Sequence, residues 1–157
     1  MFIELKNLLV TSNARFREIA HPPEGNSEKV AAVRGTEVGQ GAKAMLCRAK
    51  EDADLLVLAI LPGDRKLDFK KLAKSVPCKK ISLATPEMAS LKTGCVIGAI
   101  PPFSFSPDIH LIVDPSLLAR YDHIAFNAGR LDTSIVLNTE DYIRIAQPSV
   151  HDICVTE

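Results

Sequence analysis

The sequence predicts an α+β domain built on a mixed, largely antiparallel sheet with flanking helices, and three observations carry that reading. Strand-type and helix-type apolar patterns interleave without a strict strand–helix–strand repeat. Several strand-type runs are joined by only a few residues, which favours antiparallel neighbours. One run, residues 55–61 (LLVLAIL), is apolar at every position, the pattern of a strand covered on both faces. At 157 residues the chain is read as one domain, 1–157, with room for a substantial core.

Taken in order, residues 2–10 place Phe2, Leu5, Leu8 and Leu9 in a helical stripe. Residues 15–21 are extended in character, and the turn-rich His21-Pro22-Pro23-Glu24-Gly25-Asn26 follows. Ser27 is placed to cap a short helix that runs to about Arg34 and closes at Gly35. After Gly39-Gln40-Gly41 comes a strand, 43–50, whose period of two puts Lys43, Met45, Cys47 and Ala49 on one face. With 55–61, bounded by Pro62-Gly63-Asp64, it forms a predicted hairpin. Residues 67–76 have helical apolar spacing with lysines on the other faces, and 81–83 read as a short strand. Thr85-Pro86-Glu87 combines a capping hydroxyl, a proline at the first helical position and an acid near the positive dipole end, so a helix runs from there to about Gly94. Residues 110–113 form a strand, and Asp114-Pro115 opens a helix to Arg120. Residues 123–127 and 134–137 are two strands turning at Gly129. Asn138 or Thr139 caps a last helix that Pro148 ends, and the tail to Glu157 is expected to be loose.

The stretch 93–105, TGCVIGAIPPFSF, organises the chain. Gly94 and Gly98 bracket a short apolar run read as a strand, and Pro101-Pro102 makes a stiff corner lacking N–H donors. Such a corner forms a wall for a small pocket. A tight turn after a buried strand has the same signature.

Composition limits the functions available. Nineteen basic and nineteen acidic side chains give zero net charge, which argues against coating long nucleic acid. It leaves open contact with a nucleic-acid end, because Lys66, Lys70, Lys71, Lys74, Lys79 and Lys80 fall close together, on what is otherwise a solvated face. No apolar run approaches the ~20 residues of a membrane span, and the N-terminus lacks signal-peptide features. Cys47, Cys78, Cys95 and Cys154 have no paired spacing and read as reduced thiols of a cytoplasmic protein. Metal-binding spacings and phosphate-loop motifs are missing, so no cofactor is called for. Nothing pairs Cys95 with any of the four histidines, so it is read as a small core residue rather than a nucleophile. Lys43, at the head of an apolar strand face, either snorkels to solvent or holds its charge at a pocket mouth.

Arg34-Gly35-Thr36, followed by Gly39-Gln40-Gly41-Ala42-Lys43-Ala44, resembles the lysine motif of the YbaK/ProX family, freestanding relatives of the editing domain of bacterial prolyl-tRNA synthetases. Gly98-Ala99-Ile100-Pro101-Pro102 matches that family's GxxxP motif, and Asn127-Ala128-Gly129 with Ser134-Ile135 resembles its third loop. The resemblance is nearest the YeaK branch and spans roughly residues 15–147. It implies an aminoacyl-tRNA-synthetase-associated-domain-like fold and hydrolysis of the ester joining a wrong amino acid to the 3′ end of tRNA. Lys43 would position the terminal nucleotide through a phosphate. Backbone groups from Gly98 to Pro102, including Ala99, Ile100 and Pro101, would hold the aminoacyl group and the attacking water or hydroxyl. Thr36, Asn127, Gly129 and Ser134 belong to the matched substrate loops. Met45, Ile100 and Phe103 supply walls for a small side chain of the alanyl, seryl, threonyl or cysteinyl type. Lys70, Lys71 and Lys74 are the candidates for tRNA contact, and a synthetase partner is compatible with the resemblance. Arg130 follows Gly129 where some relatives carry histidine, so no single amino acid is carried over. A non-catalytic module binding aminoacyl-tRNA or a small metabolite is the alternative that the same pocket allows.

Overall fold

The strands form two sheets in the computed structural model, which describes residues 1–156. One is a three-stranded antiparallel sheet of order β1-β7-β6, built from β1 (Phe16–Ala20), β6 (His123–Arg130) and β7 (Thr133–Asn138). The other has the order β4-β2-β3-β5-β8. It comprises β2 (Ala42–Ala49), β3 (Leu56–Pro62), β4 (Ile81–Leu83), β5 (Ile109–Val113) and β8 (Ser149–Val150). Here β2 runs antiparallel to β3 and β4, while β5 runs parallel to β3 and β8. Around them lie α1 (Phe2–Thr11), α2 (Ser27–Arg34), α3 (Phe69–Ser75), α4 (Pro86–Thr93), α5 (Pro115–Arg120) and α6 (Thr139–Ala146), with a 3-10 turn at Val38–Gln40. The predicted α+β class and the antiparallel predominance hold; the single predicted sheet is divided in two.

The wholly apolar run explains the centre of the molecule. All seven residues of β3 are buried. Leu56, Leu58 and Ile60 enter a core with Leu46, Phe126 and Leu137, whereas Val57, Ala59 and Leu61 enter a second core with Leu72, Ile112 and Ile153. The predicted hairpin of β2 and β3 is present, with Lys43 opposite Leu61. Helix starts follow the capping signals: Thr85 Oγ1 accepts from Met88 N, Asp114 Oδ1 from Ser116 N and Asn138 Oδ1 from Asp141 N.

Five local expectations are corrected. Asn26, not Ser27, caps α2, because its carboxamide oxygen reaches both Glu28 N and Lys29 N at 3.1 Å. Residues 95–100 do not form a strand. Gly94 and Gly98 have φ of 72° and 89°, so the chain turns twice and leaves Val96 and Ile97 exposed. The β6–β7 turn lies beyond Gly129, whose φ of 80° instead absorbs a register shift between Asn127 and Arg130. Helix α3 begins after an Asp68 cap and ends at Ser75, leaving Lys79 and Lys80 to donate their amides to the Glu51 carboxylate. The tail is not loose: β8 pairs with β5, and Ile153 and Cys154 are buried with their N–H groups on Asp114 Oδ2 at 2.9 and 3.2 Å.

Candidate functional site

A cavity of about 60 Å³ lies between α2, the start of β2, the 98–100 loop and β6. Its lining contains Gly25, Arg34, Ala42, Lys43, Ala44, Gly98, Ile100 and Asn127, and no carboxylate, thiol or imidazole. One water-sized group needs at least ~10–15 Å³ of such space, so the cavity has room for a group of a few heavy atoms.

Buried polar groups form one wall. Asn127 Nδ2 donates to the carbonyls of Glu24 and Gly98, both at 2.8 Å, and so fixes the Gly98 loop against the turn before α2. Its Oδ1 accepts from Arg34 Nη2 at 3.0 Å and from Ser134 Oγ at 3.0 Å. Ser134 Oγ accepts from Arg34 Nε at 2.7 Å and lies 2.7 Å from His21 Nε2. Gly98 is required on steric grounds, since a Cβ there would lie 3.0 Å from Gly25 Cα with φ already at +89°. The amide N–H groups of Gly98 and Ile100 make no hydrogen bond among the described residues.

Arg34 is 9 % exposed, and burial pulls its pKa down to about 10 with no charged neighbour to oppose the fall. Lys43 is half-buried. The strand alternation turns its side chain toward the face of Met45 and Cys47, where its Nζ donates to the Arg65 carbonyl at 2.6 Å. Burial lowers its pKa, and Asp64 and Cys154 act against that while Lys66 adds to it. The Arg65 carbonyl occupies one of the ammonium's three donors.

Of the residues named from sequence, Lys43, Gly98, Ile100 and Asn127 line the cavity, the Lys43 ammonium itself being turned to the Arg65 carbonyl on the Met45 face, and Ser134 is joined through Arg34 and Asn127. Ile100 also lines a neighbouring cavity of about 260 Å³ together with Pro101 and Phe103. Ala99 and Phe103 are core residues beside it, and the Pro102 carbonyl accepts from buried Tyr142 Oη at 2.7 Å. Met45 packs on the second core, Gly129 lies against Met1, and Thr36 Oγ1, outside the cavity lining, is buried with no hydrogen-bond partner among the described residues. On α3, Lys71 is tied to Asp152, Thr156 and the Cys154 carbonyl, whereas Lys70 and Lys74 are exposed. The residues missed as site groups are His21, Gly25 and Arg34. Arg34 carried a signal, as part of Arg-Gly-Thr at a predicted helix end, but its inward turn depends on β6 and β7, far away in sequence.

The family model for the aminoacyl-tRNA editing domain matches residues 21–145. The chain is 49 % identical over 144 residues to the multifunctional Ser/Thr-tRNA deacylase ProXp-y of Escherichia coli strain K12, covering 91 % of this chain and 86 % of the relative. Among solved structures, hypothetical protein APE2540 superposes with a TM-score of 0.86 at 20 % identity, over 99 % of this chain and all of the other. A protein described as a candidate trans-editing enzyme for prolyl tRNA synthetase superposes with a TM-score of 0.83 at 22 % identity, over 99 % and 97 % of the two chains.

Proposed function

The chain belongs to the aminoacyl-tRNA editing domain family, and we propose that it is a deacylase hydrolysing the ester that joins a small amino acid to the 3′ end of a mischarged tRNA. The observation that carries this reading is the convergence of the β2 start, the Gly98 loop and Asn127 on one small cavity, in a chain so close to a Ser/Thr-tRNA deacylase. The aminoacyl group enters the cavity, and the two unengaged donors of the Lys43 ammonium take a phosphate oxygen of the terminal nucleotide. Water adds to the ester carbonyl, the bond to the ribose oxygen breaks, and that oxygen leaves with a proton. The products are free amino acid and uncharged tRNA. With no carboxylate, thiol or imidazole in the lining, the rate is assigned to orientation and to donors set for the developing oxyanion, the Gly98 and Ile100 N–H groups among them.

The partner is the acceptor end of tRNA, with Lys70 and Lys74 free to meet its backbone, and action beside a synthetase in the cytoplasm fits the substrate. Among the described residues no helix is long and apolar enough to cross a membrane. Purified protein incubated with a panel of mischarged tRNAs tests the reading. Seryl, threonyl, alanyl or cysteinyl esters are expected to be cleaved, with limited discrimination, because one methylene is worth only ~1–3 kcal/mol. Phenylalanyl and tryptophanyl esters are expected to resist. Tight binding of the small esters with no cleavage would instead identify a non-catalytic module.

A further inference from the structure

We propose that Arg34 is a catalytic residue, its Nη1 donating to the ester oxygen as that oxygen becomes an anion. The inference rests on the deacylase reading of this cavity. Arg34 ends α2, and its guanidinium turns inward, bonding Ser134 through Nε and Asn127 through Nη2. Both partners are neutral. No ion pair to Arg34 exists among the described residues. A tether between α2 and the β6–β7 pair needs only hydrogen bonds, whereas burying a charge without a counter-charge is costly. The charge therefore has another use.

Its direction is set by the same bonds. With Nε and Nη2 held, Nη1 lies 3.7 Å from where a Cβ of Gly41 would be, on the cavity lining, and it donates to no protein atom among the described residues. Gly98 and Ile100, with unused amides, line the same space. A fixed cation and amide donors around a cavity that lacks acids suit one kind of occupant, an oxygen gaining negative charge. The substrate's own α-ammonium gains nothing from Arg34, so the contact favours the transition state over bound substrate.

The test compares wild type with Arg34→Gln, Arg34→Lys and Arg34→Ala. Single-turnover cleavage of threonyl-tRNA is measured beside the affinity for a tRNA carrying threonine through a non-hydrolysable amide. Arg34→Gln is expected to lose roughly a hundredfold in rate, the scale of one oxyanion donor, with analogue affinity within about threefold. Arg34→Lys should retain part of the rate, and guanidinium in solution should partly restore Arg34→Ala. A loss of affinity equal to the loss of rate would make Arg34 a binding group and overturn the proposal. So would a folded Arg34→Gln protein of full activity. Were Arg34→Gln not to fold, the response of Arg34→Ala to guanidinium decides by itself, its absence counting against the proposal. Failure of wild type to cleave any small ester would overturn the deacylase reading instead, which separates the two.

Discussion

Replacing Lys43 by alanine is expected to slow single-turnover deacylation roughly ten- to hundredfold, the worth of a charge-assisted contact of ~1.5–3 kcal/mol to a phosphate. Lys43→Arg should restore little, because a forked guanidinium does not fit where a compact ammonium meets the Arg65 carbonyl. The melting temperature of Lys43→Ala should stay near wild type, since the side chain is half-buried and holds one backbone carbonyl; full activity in that folded variant would remove Lys43 from the mechanism. Tyr142→Phe is expected to behave in the opposite way. It strands the buried Pro102 carbonyl at a cost of ~1–3 kcal/mol, visible in a thermal melt, while the aromatic contact with Phe103 at 5.3 Å is kept. At this scale the sequence was informative where local chemistry decides the role. Gly98, Lys43 and Asn127, named from glycine-framed motifs, all line the one cavity. Arg34, Ser134 and His21 form a cluster only because β6 and β7 bring position 134 to position 34, and no local pattern announces such a contact.

The elements carry a second set of consequences. On α3, Lys70→Glu with Lys74→Glu is expected to weaken tRNA binding and to make it less sensitive to salt, because fewer phosphates are then neutralised and fewer counterions released, while the melt stays unchanged. Lys71→Glu should lower the melting temperature instead, because Lys71 holds Asp152, Thr156 and the Cys154 carbonyl. Equal effects of the two changes on the melt would argue against this division of the helix. The 38–41 turn contains another fixed contact. Arg120 at the end of α5 grips Asp64 with bonds of 2.9 and 2.7 Å, and a Cβ on Gly39 would lie 2.5 Å from its Nη2. Gly39→Ala should therefore displace the pair and, through Arg65, loosen Lys43, lowering activity more than the melt. Helix starts and the β2–β3 hairpin were legible because caps, prolines and apolar runs act within a few residues. The 95–100 segment misled because its apolar side chains suit a strand while two glycines of positive φ forbid one. The docking of β8 was hidden because its reasons, β5 and Asp114, lie some forty residues upstream.

For the whole molecule, acid should loosen the seam that Asp114 closes. Burial alone would raise the pKa of this carboxyl, but hydrogen bonds from Ser116, Ile153 and Cys154 outweigh it and hold the group below the usual carboxylate range. Its stabilisation is therefore fully present above the unfolded value near ~3.9 and is lost as pH falls through the lower folded value. Unfolding free energy measured against pH should fall below about pH 4, and Asp114→Asn should flatten that fall; an unchanged pH profile would count against the role. The two cores, by contrast, share a single backbone. Leu58 and Ile60 of β3 face one core while Val57 and Ala59 face the other, so losing either core strips the strand of half its neighbours. Partial melting is thereby disfavoured. Fluorescent or NMR probes placed in the two cores should report one coincident, cooperative transition, and the β3 amides should exchange with deuterium only when the entire chain opens.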